Sequence, residues 1–293
     1  SILIENGPVK PAPFDYSRPT SLDEALGLLA ELDADGKVLA GGQSLVPLLS
    51  MRLAAPHHLV DINRLDELAY VRCAADGVRV GAIARHADVE GDEEAARVQP
   101  LLRKALQLVA HPTIRNRGTT VGSLVHADPA AEMPAVLALL GGSVRVASAG
   151  GSRDVAAADF FAGPLESALS PGELAVEAMF PAQPPRTGSA VEEVARRHGD
   201  YAVCGVCAVV SLDEDLHIVS ARAAYVSVAP TPLVLDLSAA LAGRAYDADV
   251  EDVRDAVAVD PEADIHASAA YRRHLAGVLT ARAVRAAARE AAA

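Results

Sequence analysis

The sequence has few cysteines and no long hydrophobic run. Its three thiols, Cys73, Cys204 and Cys207, are too few for a disulfide scaffold in a chain of 293 residues, so we expect a protein of a reducing compartment. The longest uncharged stretch, residues 38–51, has 14 residues and is interrupted by two glycines and a proline. About 18 apolar residues are needed to cross a bilayer, so we expect no membrane span.

Positive charge is also scarce. The chain has 26 Lys and Arg residues against 39 Asp and Glu residues, a formal net charge of −13, and its basic runs are no longer than Arg196-Arg197 and Arg272-Arg273. This composition argues against nucleic acid or another polyphosphate held by charge alone. The first 20 residues contain neither the apolar core nor the small-residue cleavage site of an export signal, which favours a cytoplasmic protein.

Several familiar site motifs are missing. The sequence contains no G-x-G-x-x-G, G-x-x-x-x-G-K-[ST], H-E-x-x-H or G-x-S-x-G pattern. Cys204-Gly-Val-Cys207 has the spacing of a redox pair or of half a zinc site, but it lies in an apolar run where an extended strand would point residues three apart to opposite sides. With one further cysteine no Cys₄ site can form, so we interpret the pair as buried structural thiols and expect no metal on this chain.

The sequence does contain enough apolar material, 51% of its residues, for two domains or three small ones. A capping-box pattern at residues 21–24 opens an apolar helical series that should end near residue 35. Two short apolar segments, residues 37–40 and 59–62, flank a predicted helix over residues 45–53. This order predicts a compact βαβ unit.

The next part of the chain predicts an antiparallel sheet, because Asp76-Gly77 is a strong hairpin signal. The predicted strands cover residues 70–73, 78–84, 144–147 and 174–180. Helices are predicted over residues 101–109 and 135–140, with an irregular segment, residues 111–132, between them. Long irregular segments of compact domains are usually functional.

A linker with two consecutive prolines, residues 181–188, separates this part from a C-terminal part. There the predicted strands cover residues 190–195, 203–212 and 218–228, and helices are expected from about residues 237, 250 and 268. Together the three parts predict an α+β fold class.

Two loops that contain glycine are the strongest candidates for a ligand site. The first glycine loop, residues 40–45, lies between a predicted strand and a predicted helix. Its glycines let the backbone approach a ligand, and the amides that follow form an anion-binding nest suited to phosphate or pyrophosphate. The second glycine loop, residues 117–132, is rich in hydroxyl-bearing and small residues. Taken singly, each loop is also compatible with a tight turn at the start of a helix.

Taken together and in this order, the two loops and five further strings resemble the FAD-binding medium subunits of molybdenum hydroxylases, the family of carbon monoxide dehydrogenase and xanthine dehydrogenase. The strings are residues 11–25, 169–173, 196–201, 229–232 and 271–283, so the resemblance spans nearly the whole chain. It implies a two-part FAD-binding domain, made of a small βαβ unit over residues 1–61 and an α+β unit with antiparallel strands over residues 62–181. It also implies a C-terminal antiparallel sheet with helices over residues 182–293.

The resemblance assigns residues to noncovalently bound FAD. The first glycine loop would wrap the pyrophosphate with Ala40, Gly41, Gly42, Gln43, Ser44 and Leu45. The second would contact phosphate and ribityl groups with Thr119, Thr120, Gly122 and Ser123. Glu132 would hydrogen-bond the adenosine ribose, Leu169 would make an apolar contact with the flavin, and Tyr201 would shield the isoalloxazine ring. No catalytic acid or base is assigned to this chain.

Two positions depart from the family pattern. Val121 stands where the family usually has the first glycine of a pair, and we expect its side chain to pack inward while Thr119, Gly122 and Ser123 keep their contacts. Glu193 stands where a lysine often lies eight residues before the shielding tyrosine, so a positive charge near the flavin is missing.

The resemblance implies a function in electron transfer. The chain would take electrons from a small subunit with 2Fe-2S iron-sulfur clusters and pass them through FAD to an external acceptor, while a large subunit with molybdenum cofactor oxidises the substrate. A dimer of heterotrimers is the expected assembly. Two alternatives remain open: a non-redox FAD- or nucleotide-binding module that regulates or assembles such a complex, and a free-standing flavin oxidase of related fold.

Overall fold

The computed structural model describes residues 10–293. The expectation that the first 20 residues form no export signal falls in part on residues 1–9, and to that extent it lies outside the described residues. Among residues 10–293, no helix is long and apolar enough to cross a membrane.

The first unit is a three-stranded parallel sheet with two helices, which confirms the predicted βαβ unit. Its elements are β1 (Asp15–Ser17), α1 (Leu22–Leu32), β2 (Gly36–Leu39), α2 (Leu45–Ser50) and β3 (His58–Asp61), with strand order β1-β3-β2. Ser21 Oγ caps α1 by accepting a hydrogen bond from the Glu24 N–H at 3.2 Å, as the capping pattern predicts. Strand β1 was not predicted, because three residues carry too little pattern.

The second unit is a five-stranded antiparallel sheet covered by short helices. Its strands are β4 (Val71–Ala74), β5 (Gly77–Gly81), β6 (Ser143–Ser148), β7 (Gly151–Ala156), β8 (Phe161–Gly163), β9 (Glu166–Ser167) and β10 (Leu174–Pro181). The large sheet has the order β4-β5-β10-β6-β7, and β8 and β9 form a separate small hairpin. The predicted antiparallel sheet is confirmed, with the largely buried β10 at its centre.

The helices of the second unit include five that the sequence did not predict. They are α3 (His86–Gly91), α4 (Glu93–Val98), α5 (Pro100–Leu106), α6 (Pro112–Arg115), α7 (Thr120–His126), α8 (Glu132–Leu140) and α9 (Ala157–Phe160). The expectation that residues 111–132 are irregular is wrong, because α6 and α7 lie within them. With four and seven residues, these helices are too short to show an apolar period. Helix α7 begins where Thr119 Oγ1 accepts a hydrogen bond from the Gly122 N–H at 3.2 Å.

The C-terminal unit is a four-stranded antiparallel sheet with one long helix. Its elements are β11 (Thr187–Ala195), β12 (Ala202–Leu212), β13 (Ile218–Val226), β14 (Leu233–Asp236), α10 (Ser238–Leu241) and α11 (Ala269–Ala291). A 3₁₀ helix over Glu251–Ala256 stands where an α-helix was predicted. Helix α11 packs on β11 and β12, and the Tyr225 hydroxyl of β13 lies 3.0 Å from Thr280 Oγ1 of this helix. The three units confirm the α+β fold class.

Strand β12 joins the second unit to the C-terminal unit. Cys204 packs in the core between the C-terminal sheet and α11, whereas Cys207 packs in the core shared with the second unit. The prediction that the two thiols are buried on opposite sides of a strand is therefore confirmed. Burial raises the pKa of both thiols, that of Cys204 to about 12, so both stay protonated at neutral pH.

Candidate cofactor site

The first glycine loop leaves β2 and turns into α2. Gly42 makes this turn with a φ of +73°, where a Cβ would be strained and would lie 3.1 Å from Val46 Cγ2. Gln43 Nε2 steadies the turn by donating to the Gly41 carbonyl at 3.1 Å. Within residues 10–293, the backbone N–H groups of residues 42–45 find no acceptor, so the loop offers consecutive free donors to an anion.

Gly41 allows the two glycine loops to touch. A Cβ at this position would overlap the carbonyl oxygen of Arg117 and would lie 2.8 Å from the Cα of Gly118. On the side where its Cβ would point, Gly41 therefore faces the second glycine loop. Gly41 is required for the contact between the two loops, while Gly42 shapes the turn that leads to the free amides.

In the second glycine loop, two of the four residues that the resemblance assigns to the cofactor are partly exposed and two are buried. Thr119 and Thr120 are buried, and their hydroxyls already have partners, the Gly122 N–H and the ring of His86. Gly122 and Ser123 remain partly exposed at the start of α7. Of the four residues that the resemblance assigns to the cofactor in this loop, Gly122 and Ser123 are therefore the ones with exposed surface.

Val121 follows the prediction made for it. Its side chain is 2% exposed and packs in the core of the second unit, so the expected inward packing is confirmed. The valine therefore fills core volume and leaves the outer side of the loop open.

Side chains that follow two strand ends connect the loops. Asn63, just after β3, donates through Nδ2 to the Ala40 carbonyl at 2.8 Å. Arg85, just before α3, donates through Nη2 to Asn63 Oδ1 at 2.6 Å and through Nη1 to the Arg117 carbonyl at 2.7 Å. Hydrogen bonds thus run without a break from the first loop to the second. Sequence reasoning missed these residues, although a polar residue just after a strand is a signal that could have identified them.

Two buried groups support this connection. Asp61 Oδ1 accepts a hydrogen bond from the Asn63 N–H at 2.9 Å. Burial acts to raise the pKa of Asp61, but hydrogen bonds from Tyr16 and Asn63 outweigh it and hold that pKa below its usual value. His86 Nδ1 lies 3.1 Å from Thr120 Oγ1, and burial lowers the pKa of His86 to about 4, so the imidazole is neutral at pH 7.

A second region, which we call the acidic end, contains Glu132, Glu193 and Tyr201. Glu132 is the first residue of α8 and is 7% exposed, whereas Tyr201, just before β12, is 65% exposed. Partial burial of its hydroxyl, and then the carboxyls of Asp128 and Glu132, raise the pKa of Tyr201. The phenol of Tyr201 therefore lies within the electrostatic reach of Glu132.

The two glutamates of the acidic end differ in exposure, since Glu132 is buried and Glu193 is partly buried. Glu193 lies on β11 opposite Gly205, and its Oε2 is enclosed with no hydrogen-bond partner in the described part of the chain. Burial raises the pKa of Glu193 to about 7. Burial, and then the charge of Glu193, raise the pKa of Glu132 to about 8. Near neutral pH this region therefore holds protonated as well as ionised carboxyl groups.

Leu169 lies in the segment after β9, half-buried against the core of the first two units. The hairpin that precedes it is tied to the end of α7, because the Leu165 N–H donates to the Ala127 carbonyl at 3.0 Å. The structure thus anchors the Leu169 segment to the same helix that carries Gly122 and Ser123.

The chemistry of these groups fits a flavin dinucleotide. Free amides at the loop junction suit a pyrophosphate, while an exposed aromatic ring beside hydrogen-bonding carboxyls suits a heteroaromatic ring. Neither loop contains a cysteine, and His86 beside them is buried and neutral. Residues 10–293 contain no group of three His, Cys, Asp or Glu side chains arranged to hold a metal ion.

Comparison with known proteins identifies two family regions. Residues 12–183 match the FAD binding domain in molybdopterin dehydrogenase, and residues 189–287 match the CO dehydrogenase flavoprotein C-terminal domain. Together these matches cover most of the chain.

Individual relatives agree with this match. The chain is 46% identical over 226 residues to the caffeine dehydrogenase subunit beta of Pseudomonas sp. (strain CBB1), covering 77% of this chain and 76% of that protein. It is 37% identical over 279 residues to the carbon monoxide dehydrogenase medium chain of Afipia carboxidovorans, covering 94% and 96%. The structure of quinoline 2-oxidoreductase from Pseudomonas putida 86 superposes with a TM-score of 0.89 at 37% identity, over 96% of this chain and 99% of that chain.

Proposed function

Because this chain belongs to the FAD-binding medium subunits of molybdenum hydroxylases, we propose that it is the electron-transferring flavoprotein subunit of such an oxidoreductase. The observation that carries the proposal is the junction of the two glycine loops, with its row of free backbone amides at residues 42–45. Bound FAD would supply the ability to accept electrons one at a time and to release a pair to an acceptor. The protein residues bind, orient and shield the cofactor.

The geometry supports a direction for the cofactor. The pyrophosphate would lie against residues 42–45 of the first loop and against Gly122 and Ser123 of the second. The isoalloxazine ring would lie toward Tyr201 and Leu169. Glu132 would contact the adenosine ribose, as the resemblance assigns it. Tyr201 would cover the isoalloxazine ring.

We further propose that the chain divides into domains at residues 61/62 and 181/182. Each of the three larger sheets lies within one of the ranges 10–61, 62–181 and 182–293. The first two ranges would hold the cofactor between their loops, and the third would contribute Glu193 and Tyr201.

The assembly we propose contains a large molybdenum-cofactor subunit and a small subunit with 2Fe-2S clusters, arranged as a dimer of heterotrimers in the cytoplasm. The name "medium chain" of the Afipia relative supports larger and smaller partners. The three free cysteines of this chain support a reducing compartment and are too few for a cluster of its own.

The test uses the purified chain and its two partners. The chain alone should be yellow, should bleach reversibly under anaerobic reduction, and should show no substrate hydroxylation until the partners are added. Substrate-dependent activity of the chain alone would instead indicate a free-standing flavin oxidase. A colourless protein that binds only nucleotide would indicate a regulatory or assembly module.

A further inference from the structure

The two glycine loops come from distant parts of the sequence, yet their backbones touch at Gly41 and at the Arg117–Gly118 peptide. Such a contact is short and has no side chain of its own to hold it. A ligand that spans both loops binds well only if their separation is fixed before it arrives, because ordering a site on binding lowers the affinity. The group that fixes this separation is therefore as important for binding as the loops.

We propose that Arg85, acting through Asn63, is the positioning residue that holds the two glycine loops at the separation FAD requires. The proposal rests on the function proposed above. One guanidinium joins both sides: Nη1 donates to the Arg117 carbonyl of the second loop, and Nη2 donates to Asn63. Asn63 in turn donates to the Ala40 carbonyl of the first loop.

The backbone of Arg85 is fixed independently of these bonds. Its N–H donates to Asp88 Oδ2 at 2.9 Å, and its main chain forms an isolated antiparallel bridge with Thr119. The Cα of Arg85 is therefore held in place by hydrogen bonds of its main chain, and the side chain extends from it across the junction. Within residues 10–293 the guanidinium forms no ion pair with a carboxylate, so its hydrogen bonds are used on the loops and on Asn63 rather than on a salt bridge.

Arginine suits this place because its guanidinium holds donors in a rigid planar fork that can point to two acceptors at once. A lysine ammonium could replace one of the two bonds but not both in the same geometry. Each loop also has its own local support, the Gln43 contact in the first and the Thr119 cap in the second. Loss of Arg85 should therefore loosen the junction without unfolding either loop.

The experiment compares Arg85→Ala and Arg85→Lys with the matched control Arg79→Ala. Arg79 is an arginine of β5 in the five-stranded sheet, and its guanidinium donates two hydrogen bonds to Asp76, at 3.0 and 2.7 Å. Dissociation constants for FAD, ADP and riboflavin are measured on the apoproteins by flavin fluorescence and calorimetry, and Tm is measured in parallel.

We expect Arg85→Ala to weaken FAD and ADP binding at least tenfold while leaving riboflavin binding within a factor of about two, since riboflavin lacks the pyrophosphate. Arg85→Lys should fall between Arg85→Ala and the wild type. Millimolar methylguanidinium should restore part of the FAD affinity that Arg85→Ala loses. It should leave the FAD affinity of Arg79→Ala unchanged. Arg79→Ala should bind FAD like the wild type, with a similar change in Tm.

Wild-type affinity in both Arg85 variants would overturn the inference. Equal losses for FAD and riboflavin would overturn it as well, because they would mean that the whole fold had loosened. If Arg85→Ala does not fold, the same comparison made with Arg85→Lys decides. Failure of the wild-type protein to bind FAD would refute the proposed function itself, so the two failures are distinguishable.

Discussion

The loop junction and the acidic end differ in whether their polar side chains find hydrogen-bond partners within the chain. At the junction, the side chains of Asn63 and Arg85 reach acceptors within the chain, and the buried His86 is neutral. At the acidic end, Glu132 is buried and Glu193 is partly buried, and the enclosed Glu193 Oε2 has no donor in the described part of the chain. An ionised carboxyl buried without donors is costly, so it becomes protonated or gains a partner on binding. The side chains that connect the two loops thus have their partners on folding, whereas the acidic end depends on a proton or a ligand.

The largest effect should come from breaking the junction at Gly41. Gly41→Val places side-chain atoms where the backbone of Arg117 and Gly118 lies, so the loops must separate. We expect a loss of about 2–4 kcal/mol in the free energy of unfolding and loss of bound FAD, measured by denaturant titration and by the flavin absorbance of the purified protein.

Gly27 provides the matched control for this change. It lies inside α1 and, apart from the adjoining helix residues, no atom lies within 4 Å of the position that a Cβ would take there. Gly27→Ala should therefore leave FAD content unchanged and stabilise the protein by about 0.5–1 kcal/mol, because alanine favours the helix. A Gly41→Val protein as stable and as yellow as Gly27→Ala would show that the two loops do not need to touch.

The next effect concerns the core beneath the second loop. Val121→Gly removes a buried side chain and adds backbone freedom in α7, so we expect a loss of about 2–3 kcal/mol in stability. The FAD dissociation constant should stay near that of the wild type. Val121→Ala separates the two causes and should lose about half as much. A large gain in FAD affinity in Val121→Gly would contradict this account, because it would show that the valine side chain obstructs the cofactor.

The acidic end should make the stability of the apoprotein fall as pH rises. The folded pKa values of Glu193 and Glu132, about 7 and about 8, exceed the ordinary value of 4.5, so the folded state holds more protons than the unfolded state. Stability is then highest below pH 4.5 for these groups and declines through pH 8. Because His86 has the opposite effect below pH 6.5, the measurement compares pH 6.5 with pH 8.

Between these two pH values we expect a loss on the order of 1–2 kcal/mol in the apoprotein. Glu193→Gln should reduce this loss, because it removes one titrating group and the charge that raises the pKa of Glu132. Glu94→Gln, at an exposed ion pair on α4, should not change it. Identical pH profiles for wild type and Glu193→Gln would contradict the account of the acidic end.

The smallest change in stability should come from Tyr201. Its side chain is 65% exposed, so Tyr201→Ala should alter the free energy of unfolding by less than about 0.5 kcal/mol. The fluorescence of bound flavin should nevertheless increase, because the ring loses its aromatic cover. Tyr201→Phe keeps that cover and should behave like the wild type. Unchanged fluorescence in Tyr201→Ala would place the ring elsewhere.

The sequence allowed the prediction of features that depend on neighbouring residues. The cap at Ser21, the turn at Asp76-Gly77 and the opposite faces of Cys204 and Cys207 follow from spacing along one element, and all are confirmed. The inward packing of Val121 is also confirmed. The cap, the turn and the opposite faces need no knowledge of the tertiary fold, because each depends on residue types and spacing within one element.

Contacts between distant segments could not be predicted in this way. Helix α7 is too short to show a period, and nothing near Gly41 in the sequence shows that Gly118 will press against it. Arg85 and Asn63 were missed for the same reason, since their partners lie in other segments. The family resemblance supplied candidate site residues, but the distances that connect them come from the three-dimensional fold.

The most direct test of the central claim, that one FAD spans the loop junction and the acidic end, is the release of cofactor from the wild-type chain. Acid precipitation should leave one FAD per chain in the supernatant, and ADP added to the native protein should displace FAD competitively through the pyrophosphate site. Flavin retained in the pellet, or FAD binding that ADP does not affect, would contradict the account.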